Sequence, residues 1–369
     1  MGFIIHIQPD SVLNKSKAFV GSTKDICGRE EYFRSRGLNV KLFICPGRAD
    51  EESLNMLRNS NLNECDAVVF EFETYAKSLA YLKENCPRVL RVVRAINANL
   101  PHFVDYYRGA LRMQSDIPAI ETTSAIEHIE TALDRFSVDC QCAELADYVL
   151  SICDWETEYY WGCLTEKSKV INVPYFLPDR YSSQIQNIRK RNLFVCFMGT
   201  GGIMTPLLYD AGKNTVDLVN ALPQGIAKDW MFSITGRIRP TDIFDPLGRL
   251  IPTGRVPSPL PILAEARVVS ILSNLGMGFK TKILEAIQAG CWVLVPGDLF
   301  SRLPSVVRPW CVPIDLHSSD GLSNALVKCV ESAPKGDPNG QLRLEAFANL
   351  DRIFGDKNRK DLPINYGVW

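Results

Sequence analysis

Two lysines and a glutamate lie within a few residues of one another in Leu275–Pro296, LGMGFKTKILEAIQAGCWVLVP. Their types and spacing suit the binding of a phosphate ester. Gly276 and Gly278 flank Met277, so the backbone there can turn tightly and approach a ligand. A short helix is expected from about Thr281 to Gly290, whose glycine suits the left-handed position after a helix end. Free N–H groups and the dipole at a helix N-terminus both favour anions. Lys280 and Lys282 oppose that dipole, an arrangement that makes sense where an anion is to be bound. Glu285 follows Lys282 by three residues, on the same helical face. Its carboxylate either accepts hydrogen bonds from a ribose diol or forms a surface pair with Lys282.

The surrounding elements must hold this stretch in place. Phe3–Ile7, Val40–Cys45, Ala67–Phe72, Val89–Val93, Tyr148–Cys153 and Val170–Val173 are short apolar runs of strand type, with helices expected between several of them. Strands alternating with helices predict an α/β fold with parallel sheets. The second half repeats the theme with strands expected at Leu193–Met198, Trp230–Thr235, Ile251–Val256, Val268–Leu272, Trp292–Val295 and Val312–Asp315. Between the halves, Pro174–Asn192 contains Pro174, Pro178 and the cluster Arg189-Lys190-Arg191, and reads as a connection. The cluster either stays solvated or meets anionic lipid.

The pattern Gly-x-Gly-x-Lys-x-Lys-x-Leu-Glu-Ala, followed by Ala-Gly and an apolar strand, resembles the donor site of GT-B glycosyltransferases similar to family 4. The resemblance implies two Rossmann-like domains facing across a cleft: residues 1–178 on the acceptor side, a linker at 179–192, a nucleotide-sugar domain at 193–340, and a C-terminal helix at 341–369 returning to the first domain. It implies that Lys280 and Lys282 hold the diphosphate and Glu285 the ribose. Gly199, Gly201 and Gly202 would line the donor phosphates. Their spacing does not fit the dinucleotide fingerprint G-x-G-x-x-G. Gly236 and Arg237, in the turn after a strand, and Gly276 and Gly278 complete the implied donor site. In the first half, Arg94-Ala-Ile-Asn97 is similar to the family's Arg-Ser-His-Asn loop, which places Asn97 with Lys280 and Glu285 among the implied catalytic residues; Asn97 and Asn99 also read as plain turn residues. Two departures stand out. Met277 replaces a frequent glutamate, and Ile96 replaces the histidine beside the reacting sugar. His102 and Asp105, a few residues on, are within reach of the same cleft.

Composition narrows the alternatives. The 369 residues suffice for two domains. The chain is 46% hydrophobic and 22% charged with a net charge of -1, which offers no basic face for nucleic acid. Twelve cysteines lie scattered, many in apolar runs, as expected of reduced thiols in the cytoplasm. The four histidines are not at ligand spacing, and no Asp-x-Asp occurs, so no bound metal is expected. The N-terminus lacks a basic segment before its apolar run, and no run approaches the roughly 20 residues of a membrane span. The expected protein is cytoplasmic, with at most peripheral contact at a membrane.

The resemblance implies transfer of a sugar, with retention and without a metal, from a UDP- or GDP-linked donor to a hydroxyl acceptor, in polysaccharide, glycan or glycolipid synthesis. No cofactor beyond the donor substrate is implied. The sequence names neither the acceptor nor an oligomeric state. Two alternatives stay open: a non-catalytic nucleotide-sugar-binding protein, and a GT-B epimerase or hydrolase.

Overall fold

The computed structural model describes residues 2–14, 20–117, 124–185, 190–198, 205–236, 245–254, 256, 258–331 and 335–355. They form two six-stranded sheets flanked by helices. The first contains β1 (Phe3–Pro9), β2 (Val40–Cys45), β3 (Cys65–Glu71), β4 (Leu90–Arg94), β5 (Tyr148–Ser151) and β6 (Val170–Asn172), in the order β2-β1-β3-β4-β5-β6. The second contains β7 (Arg191–Cys196), β8 (Met231–Thr235), β9 (Leu250–Gly254), β10 (Ala266–Ser270), β11 (Trp292–Pro296) and β12 (Cys311–Ile314), in the order β12-β11-β10-β7-β8-β9. Every ladder is parallel. Each apolar run read as a strand is one, within a few residues. Central strands such as β1 and β11 are buried at every position, the signature of a sheet covered on both faces.

The helices follow the sequence less closely. Asn99–Asp116 forms an 18-residue helix directly after the Ile96–Ala98 turn. Pro101 sits in its first turn, where a missing N–H is harmless. Helix Ala125–Leu145 starts from a capping box in which Ser124 and Glu127 satisfy each other's backbone N–H groups. Helix Pro206–Ala221 begins about two turns before Lys213. Among the described residues no helix is long and apolar enough to cross a membrane.

Residues between the sheets are packed rather than loose. Tyr175, Phe176 and Leu177 are buried, and Asn339 bonds both the N–H of Leu177 (2.6 Å) and its carbonyl (2.9 Å). Lys190 donates to the carbonyls of Leu263 and Ala264, both at 2.9 Å, and to that of Ala289. It thereby neutralises the C-terminal ends of helices Leu260–Glu265 and Lys282–Gln288. Of the basic cluster, Lys190 is thus an internal support, Arg191 pairs with Glu265 at 3.3 Å, and Arg189 lies outside the described residues.

Helix Pro338–Phe354 crosses onto helix Gly21–Ser35. Asp351 accepts from Arg36 at 2.8 and 2.7 Å and from the Tyr32 hydroxyl at 3.0 Å. Phe347 meets the rings of Tyr32 and Phe176 edge-on, with centroids at 5.3 and 5.6 Å. Phe347→Ala should destabilise the protein by about 3–5 kcal/mol, the usual cost of removing a buried aromatic ring. The denaturation midpoint reads this out, and a change under about 1 kcal/mol would mean that the crossing helix carries little of the fold.

Candidate active site

In the second sheet the chain order reverses between β10 and β7, so the carboxyl ends of these strands open into a crevice of the kind that binds ligands in such sheets. The loop leaving β10 there carries Gly276 and Gly278, at φ +82° and +79°. Both are in the left-handed region that glycine adopts freely. A Cβ on Gly278 would lie 2.6 Å from Asn97 Oδ1 and 2.9 Å from the Ile96 carbonyl oxygen. Asn97 of the first domain is thus brought directly against the loop.

The first domain also satisfies the loop's backbone. Asp105 Oδ2 accepts from the Gly276 N–H at 3.0 Å, and His102 Nδ1 from the Met277 N–H at 3.3 Å. These amides, expected to face a phosphate, are already bonded. Lys280 folds back on the loop, donating to the carbonyls of Leu275 (3.3 Å) and Gly276 (3.1 Å), while Arg302 reaches the Gly276 carbonyl at 3.4 Å. Met277 packs on the apolar core of the first domain, and its sulfur lies 3.1 Å from Arg302. Its apolar setting accounts for a thioether at a position where the resemblance implies a carboxylate.

Cations are concentrated here at a cost in proton affinity. Lys280 is pushed down to about 8, first by burial and then by Arg302 and Lys282, with Asp105 and Glu156 opposing. Lys282 is also pushed down to about 8, by burial and by Lys24, with Glu285 opposing. Both remain mostly charged at neutral pH. Burial and the Lys280 charge take His102 down to about 4, against the pull of Asp105. His102 is therefore neutral, and since its Nδ1 accepts a hydrogen bond, the proton sits on Nε2.

Glu285 is buried on the first turn of helix Lys282–Gln288 and forms an ion pair with Lys24, itself buried on helix Gly21–Ser35. The partner of Glu285 among the described residues is thus Lys24 rather than Lys282. Beside this pair Gly21 faces Thr281, whose Oγ1 lies 2.6 Å from where a Cβ would stand. Residue 24 carries no local signal of this role.

The remaining expectations divide. Gly236, at φ +103°, donates its N–H to the Gly254 carbonyl at 3.0 Å and closes the ends of β8 and β9. Gly199, Gly201, Gly202 and Arg237 lie outside the described residues. Arg94 is fully buried, bonding both oxygens of Asp25 (2.9 and 2.7 Å) and the carbonyls of Ser151 (3.0 Å) and Val173 (2.7 Å). It supports the loop from below. Glu71 accepts from His6 at 2.5 Å and from Arg29 Nε at 2.6 Å, so it is an internal anchor. Glu73 accepts from the Ile96 N–H (3.2 Å) and from Asn99 (3.0 Å). Sequence reasoning missed Glu156, which accepts from the Ala98 N–H at 3.1 Å and lines a small pocket with Gly278 and Arg302. Burial, reinforced by Glu73, pushes it up to about 8.

No family model and no curated protein matches the chain. Solved structures do match along nearly its whole length. Sucrose-phosphate synthase from Thermosynechococcus elongatus superposes with a TM-score of 0.57 at 13% identity, over 96% of this chain and 95% of its own. AviGT4, a glycosyltransferase involved in avilamycin A biosynthesis, gives 0.54 at 13% identity over 95% and 93%. Anabaena HepE in complex with UDP gives 0.53 at 12% identity over 95% of each chain. At such identities the likeness is one of fold. The two parallel sheets, with the crevice between them, are the GT-B fold.

The Lys24–Glu285 pair is open to a direct test. Lys24→Met should destabilise the protein by about 3–5 kcal/mol, because it leaves a buried carboxylate unpaired. Combining it with Glu285→Leu should recover most of that loss. Denaturation midpoints of the two single variants and the double variant give the coupling, and additive losses would show that the residues do not interact.

Proposed function

We propose that this chain is a glycosyltransferase, moving a sugar from a nucleotide diphosphate sugar to a hydroxyl acceptor. The observation that carries the reading is the Gly276–Lys282 loop at the reversal point of the second sheet. Two lysines converge there, and residues of the first domain pin the loop from across the crevice. Cleavage of the sugar–phosphate bond places negative charge on the leaving diphosphate. Lys280 and Lys282 are the groups that answer that charge, since the first two loop amides are already bonded. Preorganised donors of this kind are worth about 3–4 kcal/mol each in a water-poor site.

The groups near the loop support a route without a protein base. His102 keeps its Nδ1 lone pair in a hydrogen bond to Met277, and burial pushes Glu156 up to about 8. A route in which the leaving phosphate itself takes the acceptor proton fits this setting and retains configuration at the anomeric carbon. It needs no metal, because the lysines neutralise the diphosphate. A UDP-linked hexose is the first donor to try, HepE of the same fold having been solved with UDP; GDP-linked sugars come next. Cytoplasmic polysaccharide or glycolipid synthesis is the setting this chemistry suits.

One other reading has a specific observation behind it. Met277 and Ile96 are apolar and packed, and Glu285 is engaged by Lys24, as a donor-binding protein without turnover would allow.

Mass spectrometry across a panel of nucleotide sugars, with and without acceptors and with EDTA present, separates the two. Turnover that survives EDTA and falls about 10²-fold in Lys280→Ala supports the transferase. Donor binding without turnover supports the binding protein, and the absence of any donor binding overturns both.

The lysines also set a pH limit. Each loses its charge as pH rises through about 8, so kcat/KM for the donor should fall above that value rather than near the ordinary lysine range. A flat profile up to pH 10 would remove them from donor binding.

A further inference from the structure

Two described residues other than glycine hold a left-handed backbone, Arg48 at φ +68° and Phe72 at φ +88°. Neither type adopts this conformation readily. They lie against each other, with the Arg48 guanidinium 3.4 Å from the centre of the Phe72 ring. Arg48 belongs to the turn after β2 and Phe72 to the turn after β3, at the carboxyl edge of the first sheet. The Phe72 N–H donates to the Arg94 carbonyl at 3.0 Å, which ties this turn to the end of β4. Backbone strain persists where the surroundings enforce it, and it gathers at ligand sites.

The arrangement displays a guanidinium. An arginine lying on a ring keeps its fork of N–H donors directed outward, in the geometry that matches phosphate and carboxylate. Glu73, the next residue in the chain, directs its oxygens to Asn99 and the Ile96 N–H instead. Among the described residues Arg48 has neither a hydrogen bond nor an ion pair. A second arginine repeats the pattern: Arg135, also exposed and unpaired among the described residues, lies 6.0 Å from the Phe103 ring. Arg135 stands one helical turn before Asp139, which accepts from the same Asn99 at 2.8 Å. The two arginines therefore flank one hub, with the Glu73 carboxylate close enough to Arg48 to oppose the repulsion from Arg135. The hub adjoins the Ile96–Ala98 turn, whose Asn97 touches Gly278.

We propose that Arg48 and Arg135 form an anion subsite on the first domain, and that it selects a hydroxyl acceptor carrying a phosphate or carboxylate. The word acceptor rests on the glycosyltransferase reading; the anion subsite does not. An acceptor anchored there by its anionic end would extend its hydroxyls toward the Gly276–Lys282 loop.

Calorimetry with inorganic phosphate, glucose 6-phosphate, glucuronate and glucose tests the subsite without any transfer. At least one anionic sugar should bind about 10²-fold more tightly than glucose, the fold-change expected of charge-assisted hydrogen bonds at a solvent-facing site. That preference should disappear in Arg48→Asn, chosen because asparagine tolerates the left-handed backbone, and in Arg135→Gln. The same sugars are then offered as acceptors with a turned-over donor, where loss of the preference should show as a raised KM. Phosphate-only or carboxylate-only selectivity supports the proposal and identifies the anion. Equal binding of glucose and the anionic sugars, or a preference that survives both substitutions, overturns it. Arginine-dependent anion binding without nucleotide-sugar turnover leaves the subsite standing and removes the transferase reading. Transfer to neutral acceptors alone does the reverse.

Discussion

A backbone amide taken out of water must find an acceptor, and in this protein the amides that matter most find theirs on another domain. The left-handed turns at Gly276 and Gly278 expose N–H groups that no strand or helix of the second sheet can satisfy. Asp105 and His102 accept from them across the crevice. The bond to the Asp105 carboxylate is of the charge-assisted kind, worth about 1.5–3 kcal/mol. The loop's conformation thus depends on helix Asn99–Asp116, which in turn packs against helix Pro206–Ala221. There Arg112 meets Asp210 and Asn214, and the Tyr209 hydroxyl donates to Asp116 at 2.6 Å.

Beneath that helix lies a closed set of buried charges. Burial alone would raise Asp25, yet Arg29 and Arg94 beside it hold it down at about 2. Glu71 is lowered too, because Arg29 and His6 outweigh its burial. Buried ion pairs are tolerated when every lone pair and proton finds a partner, and here the guanidinium of Arg94 reaches three main-chain carbonyls as well as Asp25. The network fixes helix Gly21–Ser35 against β3 and β4. It thereby sets Lys24 opposite Glu285 and gives the Ile96–Asn99 turn a rigid base.

Local sequence reveals what local physics determines. The strands are legible because parallel strands covered on both faces must be apolar throughout. The turn and helix of Gly276–Gly290 are legible because their glycines, lysines and helix stop fall within one short stretch. Helix Asn99–Asp116 is hidden for a local reason: Pro101 and Gly109 inside it read as breakers, and only its packing against helices Ala125–Leu145 and Pro206–Ala221 shows what it faces. Lys24 and Glu285 are 261 residues apart, so no spacing rule connects them. Arg48 and Phe72 look like ordinary loop residues until their dihedral angles are known. The carboxylate Glu156 is equally silent, its role arising only where β5 ends beside the loop from the other sheet.

Two-domain chains of this fold invite recombination, since one half can be imagined as kept while the other is exchanged. The Lys24–Glu285 contact limits that modularity here. A grafted first domain lacking a cation at the position of Lys24 would strand Glu285 in an apolar seam, and one with a bulkier residue than Gly21 would collide with Thr281. Inheritance of the two halves is therefore linked through a pair of side chains, and divergence on one side of the crevice is constrained by what the other side already presents.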